Sequence, residues 1–405
     1  MNRLFNALKD LNLRNVLDGG AWLTNMMTNL AMKNKATVPA LPDRAAWAEE
    51  KDDILGRAAW LCSKVIVEPQ QLLDAMPAAF GPHYGNEWAI YSCSHLMAAL
   101  ANIARIYPET RDENLQLMEC IIPIVLSPEM RRYDTTSWHE DALASLDGDK
   151  HHMTYLSILA WVIGTFRLTG GHDGYDHLFH VCCEALYRRM RQTPGLNLQS
   201  FPRTPIFIPD MMFTIVALHY HARLFGTEHY AAIVAEWLQR ARTEWIHRPT
   251  RLLKAMLRGE SHRSYVTPVR GSYTGLNCYC LSLIDHDFAL EQHDLMKRVM
   301  VMTVDEGMAR GIVGVREYLN RAPRLAMDPD AGPIAFGLSP SGTAWALGSA
   351  TYFEDWELRH QLLHTAEVAG CTVKEKEGML HYRLGEMAIV GEAVALAART
   401  NIAST

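Results

Sequence analysis

The sequence predicts an all-α protein in which six helical hairpins close into an (α/α)6 toroid. Long apolar segments alternate with more amphipathic ones, and a few residues rich in Gly, Pro or acids join each pair. The apolar segments lack a polar face, which is typical of helices that are covered on both sides. The hairpins recur every ~45 to 70 residues, which is too long and irregular for an open tetratricopeptide array. The pattern therefore favours a closed ring.

The predicted inner helices cover residues 86–106, 153–168, 210–225, 273–284, 342–352 and 386–399. The predicted outer helices cover residues 44–66, 111–125, 174–191, 228–245, 287–303 and 355–369. Asp43 is placed to cap the first outer helix, and the last inner helix is expected to pair with that helix and close the ring. We predict two parts: an N-terminal arm over residues 1–42, which packs on the body or on a neighbouring subunit, and a single toroid domain over residues 43–405.

Four long connections distinguish one end of the predicted toroid from the other. They cover residues 126–152, 192–209, 246–272 and 304–341, and each leads into the N-terminus of an inner helix. Connections of this length are uncommon unless they have a function. The elaborated end should therefore form a funnel, where free helix N–H groups favour anionic or oxygen-rich ligands.

Composition narrows the class of protein. The chain has 405 residues, 49% of them hydrophobic and 21% charged, which is ordinary for a soluble globular protein. A net charge of -6 with scattered Lys and Arg residues argues against a nucleic-acid partner. No apolar run reaches the ~20 residues of a membrane span, and no convincing signal peptide is present. The eight cysteines lie mostly in apolar segments without metal-knuckle spacing, which favours reduced thiols and a cytoplasmic location.

The segment from residue 133 to residue 155 is the first candidate site. It gathers acids, imidazoles and aromatic rings just ahead of an inner helix, at Tyr133, Asp134, Trp138, Glu140, Asp141, His152 and Tyr155. A histidine near a helix N-terminus tends to be neutral, so it can accept or relay a proton. Each of these side chains could equally be a solvated loop residue or a helix cap. Glu140 and Asp141 are adjacent, so only one of them is expected to face a substrate.

Several short motifs follow one another along the chain. They are Tyr91-Ser92, Tyr107-Pro108, Trp138-His139-Glu140-Asp141, Leu168-Thr169-Gly170 with Tyr175, Arg223-Leu224 with Gly226-Thr227 and Tyr230, Ser272-Tyr273-Thr274, Asp305-Glu306-Gly307 and Gly337-Leu338-Ser339. In this order and spacing, from about Tyr91 to about Arg399, the chain resembles the linalool dehydratase/isomerase family. These are bacterial (α/α)6 enzymes that act on terpene alcohols, so the resemblance implies a toroid with its site at the elaborated end.

The resemblance also implies positions for the catalytic groups. The family's catalytic histidine falls within residues 152–155, and its two cysteines fall near Phe201 and Asp210, neither of which is a cysteine here. Tyrosines of the family match Tyr91 and Tyr273. Without thiols, the groups available for chemistry in the funnel are carboxylate, imidazole and phenol.

We therefore predict acid–base chemistry on a small hydroxylated substrate. Asp210, His152 and Tyr273 are predicted to move protons, with Asp141 or Glu140 in support, because carboxyls in unlike environments can divide acid and base work. Asp210 follows Pro209 at the start of an inner helix and could instead be its N-cap. Substrate contacts are predicted at Tyr91, Trp88, Tyr133, Asp134, Trp138, Tyr155, Arg203, Tyr265 and Asn277.

Three functions remain open at this point. The first is a hydro-lyase or isomerase similar to linalool dehydratase/isomerase. The second is a glycoside hydrolase, in which two carboxylates cleave a sugar held on aromatic rings. The third is a toroid that binds a ligand or partner without catalysis. No metal or other cofactor is predicted, since no cluster has recognisable metal-ligand spacing, and a homo-oligomer is compatible with the arm.

Overall fold

The computed structural model describes residues 24–32, 40–77, 82–258, 263–264, 268–320 and 325–403. Its α-helices, in chain order, are α1 (24–32), α2 (Trp47–Val65), α3 (Pro69–Asp74), α4 (Pro82–Ile106), α5 (Arg111–Leu126), α6 (Arg132–Trp138), α7 (Met153–Thr169), α8 (Asp176–Gln192), α9 (Ile208–Phe225), α10 (Glu228–Glu244), α11 (Gly271–Ser282), α12 (His286–Val299), α13 (Pro340–Tyr352), α14 (Trp356–Gly370), α15 (Arg383–Met387) and α16 (Ile389–Arg399).

Six of these helices form a closed inner ring. Helix α4 packs on α7, α7 on α9, α9 on α11, α11 on α13 and α13 on α16, and α16 returns to α4. Helices α5, α8, α10, α12 and α14 each pack outside the inner helix that precedes them, and α2 packs on α16 and α4. The prediction of an all-α (α/α)6 toroid is confirmed.

Burial explains the two kinds of helix. Every residue of α7 from Met153 to Phe166 is buried, because inner helices are covered by ring neighbours and by an outer helix. The outer helix α8 buries one face, which includes Phe179, Cys183 and Leu186. The helices α11 and α13 approach closely because both carry glycines at their contact. A Cβ atom at Gly275 would lie 2.7 Å from the carbonyl oxygen of Gly342, so no side chain fits there.

The long connections contain short antiparallel strands that the sequence analysis did not predict. They are β1 (Ile206–Phe207), β2 (Met256–Arg258), β3 (Arg263–Ser264), β4 (Val301–Thr303), β5 (Val313–Val315), β6 (Leu325–Asp328), β7 (Gly332–Ala335), β8 (Thr372–Lys374) and β9 (Leu380–Tyr382). They form the sheet β1-β2-β3 and the hairpins β4-β5, β6-β7 and β8-β9. Two to four residues are too few to show the alternation that identifies a strand in a sequence.

Two further details differ from the sequence analysis or extend it. Helix α2 begins at Trp47, and its N-cap residue is Ala46, which makes no side-chain capping bond, so the prediction that Asp43 caps this helix is wrong. Helix α1 packs on the body of the same chain: Met26 and Leu30 contact a cluster that includes Val368. The division of the chain at residue 42 stays a prediction.

A buried network of ion pairs joins the first outer helix to the last two hairpin helices. Both guanidinium nitrogens Nη1 and Nη2 of Arg359 donate to Glu50 at 2.9 Å. Arg57 donates to Glu392 at 2.9 Å and to Glu367 at 3.1 Å. We call this network the seam; its members are Glu50, Asp53, Arg57, Arg359, Glu367, Glu392 and Arg399. The seam holds α2, α14 and α16 together where the ring closes.

No helix in the described ranges has the length and hydropathy that a bilayer crossing requires. The eight cysteines all carry free thiols, and burial raises the pKa of several of them, including Cys93, to about 12. Buried thiols of this kind act as small apolar side chains.

Candidate active site

The N-termini of the inner helices surround a cavity of about 880 Å³. At the N-termini of α4, α9 and α11 and on the β6-β7 hairpin, its carboxyl and phenol groups are Tyr84, Glu87, Tyr91, Asp210, Tyr273, Asp328 and Asp330. Tyr382 and Glu392 also reach the lining, near the seam. The rest of the lining is mainly apolar or aromatic and includes Trp88, Phe207 and Trp345. The elaborated end therefore does hold a hollow in which acids face aromatic rings.

Asp210 lies in the first turn of α9, with Pro209 before it. It is not the N-cap of this helix, because the helix begins at Ile208 and the cap residue is Phe207. The hydroxyl of Ser200 donates to Oδ2 of Asp210. Burial raises the pKa of Asp210 to about 7; the Ser200 hydrogen bond opposes this rise and the charge of Asp330 adds to it. Asp210 can therefore hold or release a proton near neutral pH.

Asp330 and Tyr273 form a hydrogen-bonded pair beside Asp210. The hydroxyl of Tyr273 donates to Oδ2 of Asp330 at 2.8 Å, and Nη1 of Arg270 lies 3.2 Å from the same oxygen. Burial raises the pKa of Asp330, while these two donors oppose the rise. Tyr273 and Arg270 thus favour the charged form of Asp330, although its pKa stays raised on balance.

Arg270 fixes the wall that carries Asp330. Its guanidinium donates to Glu317 at 2.6 Å and to Asp328 at 2.7 Å, and it lies over the ring of Tyr273, 4.9 Å from the ring centre. Glu317 also accepts from the backbone N–H of Ser272 at 2.9 Å, in the first turn of α11. The β6-β7 hairpin is therefore tied to the start of α11, and Asp330 is tied to Tyr273.

Glu87 is a third carboxyl in the same cavity. Burial, together with the negative charges of Asp210 and Asp330, raises its pKa well above the ordinary value. The surface of Glu87 that remains accessible faces the cavity lining. The neighbouring carboxyls therefore favour the neutral form of Glu87, because a second and third negative charge in one small volume would repel one another.

The cavity continues as an apolar branch between the outer and inner helices. This branch is lined by Met26 and Leu30 of α1, by Thr365, Ala366, Val368, Ala369 and Gly370 of α14 and by Val390 and Val394 of α16, and the seam residues Arg57, Glu392 and Arg399 also reach the lining. An apolar branch next to the acids gives room for a hydrophobic part of a ligand.

The acid and histidine cluster of residues 133–155 does not line this cavity. Nδ1 of His152 lies 2.6 Å from Oδ2 of Asp134, and its Nε2 lies 3.2 Å from Oε1 of Glu140. Glu140 also pairs with Lys150 at 3.0 Å. His152 and Asp134 are both fully buried. The side chains satisfy one another, so the expected meeting of His152 with Asp210 does not occur.

Asp141 has a local role of the kind considered as an alternative above. Its Oδ2 accepts from Arg131 at 2.6 Å, and its Oδ1 accepts from the backbone N–H groups of Leu143 and Ala144 at 2.9 and 3.1 Å. Asp141 thus caps a turn outside the cavity. Of the four groups expected to share one hollow, the structure brings together Asp210 and Tyr273 and leaves His152 and Asp141 elsewhere.

The predicted substrate contacts divide in the same way. Trp88 and Tyr91 line the cavity. Tyr133, Trp138 and Tyr155 are buried in packing contacts outside the lining, and the Tyr155 hydroxyl donates to the carbonyl of Val125 at 3.2 Å. Arg203 is an exposed turn residue with φ 64°. Asn277 is buried in α11, and Tyr265 lies outside the described residues.

Sequence reasoning missed Glu87 and Asp330 as site residues. Glu87 lies one helical turn before Tyr91, so it shares the face of α4 that points to the cavity. Asp330 lies in the longest connection, where no periodicity separates a functional acid from a solvated one. Within the described ranges, no three His, Cys, Asp or Glu side chains are arranged to hold a metal ion.

The fold and the site together define a closed helical toroid with an acid-lined, largely aromatic cavity at its elaborated end. An unsaturated glucuronyl hydrolase specific for heparin has a similar fold: the match covers 86% of this chain and 97% of that chain, with 11% sequence identity and a TM-score of 0.52. A glycoside hydrolase from family 105 of C. acetobutylicum matches 76% of this chain and 92% of its own, with 12% identity and a TM-score of 0.47. No family model and no curated protein matches the sequence.

Proposed function

We propose that this chain is an acid–base enzyme that hydrolyses a C–O bond in a neutral, carbohydrate-like substrate. Asp210 would donate its proton to the leaving oxygen while the C–O bond breaks. Asp330 would accept a proton from the attacking water, whose oxygen forms the new C–O bond. The observation that supports the proposal is that Asp210 and Asp330 line one cavity with aromatic side chains in its wall. Of these two carboxyls, Asp330 has a guanidinium partner, whereas Asp210 has none among the described residues. Unlike surroundings of this kind separate an acid from a base.

A neutral substrate is favoured by the charges of the site. The cavity lining carries the anionic carboxyls of Asp328 and Asp330, and the nearby cation Arg270 is already engaged by Glu317, Asp328 and Asp330. A substrate carboxylate would add negative charge without a free cation to balance it. Aromatic side chains at Tyr84, Trp88 and Tyr91 offer flat faces against which a sugar ring can stack.

A second candidate is supported by the apolar branch of the cavity. A hydro-lyase or isomerase acting on an alkenol would use Asp210 to protonate the departing hydroxyl group, and the branch would hold the hydrocarbon chain. This is the activity that the resemblance to linalool dehydratase/isomerase implies.

A substrate panel tests both candidates. The purified protein would be incubated with neutral aryl glycosides, neutral oligosaccharides, an unsaturated glucuronide and monoterpenols. We expect release of the leaving alcohol from a neutral glycoside and loss of that release in Asp210→Asn. Turnover of monoterpenols alone would replace the first candidate by the second. Turnover of the glucuronide in preference to neutral glycosides, or full activity of Asp210→Asn, would refute the assignment.

A further inference from the structure

A set of buried polar side chains lies one helical turn beneath the cavity floor. Thr214 follows Asp210 by four residues on α9, Asn277 follows Tyr273 by four on α11, and His95 follows Tyr91 by four on α4. Residues four apart share one face of a helix. Each deeper side chain therefore lies on the face that carries a cavity residue. We call Thr214, Asn277 and His95 the inner tier.

Four side-chain polar atoms of the inner tier have no hydrogen-bond partner within the part of the chain that the structure describes. They are Oγ1 of Thr214, Oδ1 and Nδ2 of Asn277, and Nε2 of His95. All three side chains are at most 1% exposed. Buried polar groups are nearly always hydrogen-bonded, and leaving one unpaired costs about 1–3 kcal/mol. Three such side chains from three ring helices, each one turn below a residue that lines the cavity, point to a ligand.

The tier lies directly behind residues that line the cavity. The ring centre of His95 lies 4.7 Å from that of Trp345 and 5.9 Å from that of Tyr91, and both of these rings line the cavity. Leu276, the residue before Asn277, also lines it.

The tier is electrically neutral. Nδ1 of His95 lies 2.7 Å from the carbonyl oxygen of Tyr91, which can only accept, so Nδ1 carries the hydrogen and Nε2 is an acceptor. Burial lowers the pKa of His95 to about 4, so the ring stays uncharged at neutral pH. Asn277 offers both a donor and an acceptor, and Thr214 offers a hydroxyl. A ligand that donates to one partner and accepts from another, and carries no charge, satisfies this set.

We infer that the inner tier is a subsite for a neutral hydroxyl oxygen, which Asn277, Thr214 and His95 bind one turn below the reacting groups. Two sources share this chemistry: a water molecule, and a hydroxyl group at the inner end of the substrate. The second source rests on the proposed function, because it places the substrate's reacting bond at Asp210 and a hydroxyl group below it.

Two crystal structures of the full chain test the subsite without any activity assay. One crystal would be grown without alcohols or polyols, and the other soaked in cyclohexanol. We expect an ordered oxygen within about 3.2 Å of both Asn277 and Thr214. Water in both crystals would assign the subsite to solvent, and the cyclohexanol hydroxyl in the second would assign it to substrate. An empty tier, with Asn277 turned to bond Thr214 or the backbone, would overturn the inference.

Kinetics then separate this inference from the proposed function. With any substrate that the panel identifies, Thr214→Val should raise KM by roughly 2- to 10-fold while kcat changes little, because it removes one hydroxyl hydrogen bond. Thr214→Ser should restore KM. Thr165→Val is the matched control, because the Thr165 hydroxyl already donates a hydrogen bond to the carbonyl oxygen of Trp161 at 2.7 Å. An unchanged KM in Thr214→Val would exclude the substrate source. If the panel shows no turnover, the proposed function fails and the crystallographic test still stands.

Discussion

Glu50 in the seam and Glu87 in the cavity are both carboxyl groups, and their surroundings shift the pKa of the two groups in opposite directions. In the seam, burial would raise the pKa of Glu50, but hydrogen bonds and charge from Arg359 and Arg399 outweigh it and lower the pKa. In the cavity, Glu87 has two neighbouring carboxyls and its pKa rises well above the ordinary value. The surroundings thus favour the charged form of the Glu50 carboxyl and the neutral form of the Glu87 carboxyl. The difference between the two lies in the neighbouring charges, which are guanidinium groups beside Glu50 and carboxyl groups beside Glu87.

The largest effect is expected from replacing the proton carrier itself. Asp210→Asn should lower kcat by roughly 10²- to 10⁴-fold on the responding substrate, because a carboxamide cannot transfer the proton. Circular dichroism and the melting temperature would show whether the fold is intact. A variant that is folded and retains more than a tenth of the activity would contradict the role of Asp210.

A matched pair of substitutions tests whether the guanidinium partner decides the state of a buried carboxyl. Glu50→Gln should lower the free energy of unfolding by about 3–5 kcal/mol, since it leaves the buried guanidinium of Arg359 without its charged partner. Glu87→Gln should change this free energy by less than about 1 kcal/mol, because it replaces a carboxyl that is already neutral. Urea denaturation at neutral pH measures both. Equal decreases in the free energy of unfolding for the two variants would contradict the difference between Glu50 and Glu87.

The pH dependence of stability sharpens the comparison further. Asp210 has a pKa of about 7 in the folded protein, against an ordinary value of 3.8 for an aspartate side chain. Between about pH 4 and about pH 7 the Asp210 carboxyl is deprotonated in the unfolded chain but still protonated in the folded protein. Its contribution to the free energy of unfolding therefore falls as pH rises through this range. The Asp210→Asn variant has no carboxyl at this position, so this decrease in stability does not occur in it. Its stability relative to the unmodified protein should therefore increase by on the order of 4 kcal/mol between pH 4 and pH 8. Parallel stability curves would show that the pKa is ordinary.

The smallest effect concerns the tyrosine that bonds Asp330. Tyr273→Phe should lower kcat about tenfold and move the acidic limb of the pH profile to higher pH, because the lost hydrogen bond no longer opposes the raised pKa of Asp330. Tyr230→Phe is the control, since its hydroxyl donates to Glu184 at 2.9 Å on the outer helices. A profile that does not move would show that Asp330 titrates independently of Tyr273.

The ring of helices could be predicted because long apolar segments and amphipathic segments differ strongly in composition. Helix α7, which is buried from Met153 to Phe166, is the clearest case. The site could be predicted only where it coincides with the start of an inner helix, as at Asp210 and Tyr273. Asp330 could not be found in this way, because its position depends on the β6-β7 hairpin and on Arg270, which is 60 residues away.

His152 illustrates the opposite error. An imidazole among acids at the start of a helix is the pattern expected of a catalytic group, yet Asp134 and Glu140 bond both of its ring nitrogens. The sequence shows that His152, Asp134 and Glu140 are close along the chain, but it does not show which of them form hydrogen bonds with one another. Whether a buried acid pairs internally or faces a cavity depends on side-chain directions that periodicity does not specify.

The seam also affects how the polypeptide acquires its shape. Arg57 and Glu392 form an ion pair although they are 335 residues apart in the sequence. The ribosome therefore synthesises Arg57 long before it synthesises Glu392. Until α16 has emerged, α2 has charged groups without partners and an open flank. Such a half-built barrel exposes apolar surface, and chaperones would be expected to engage it during synthesis.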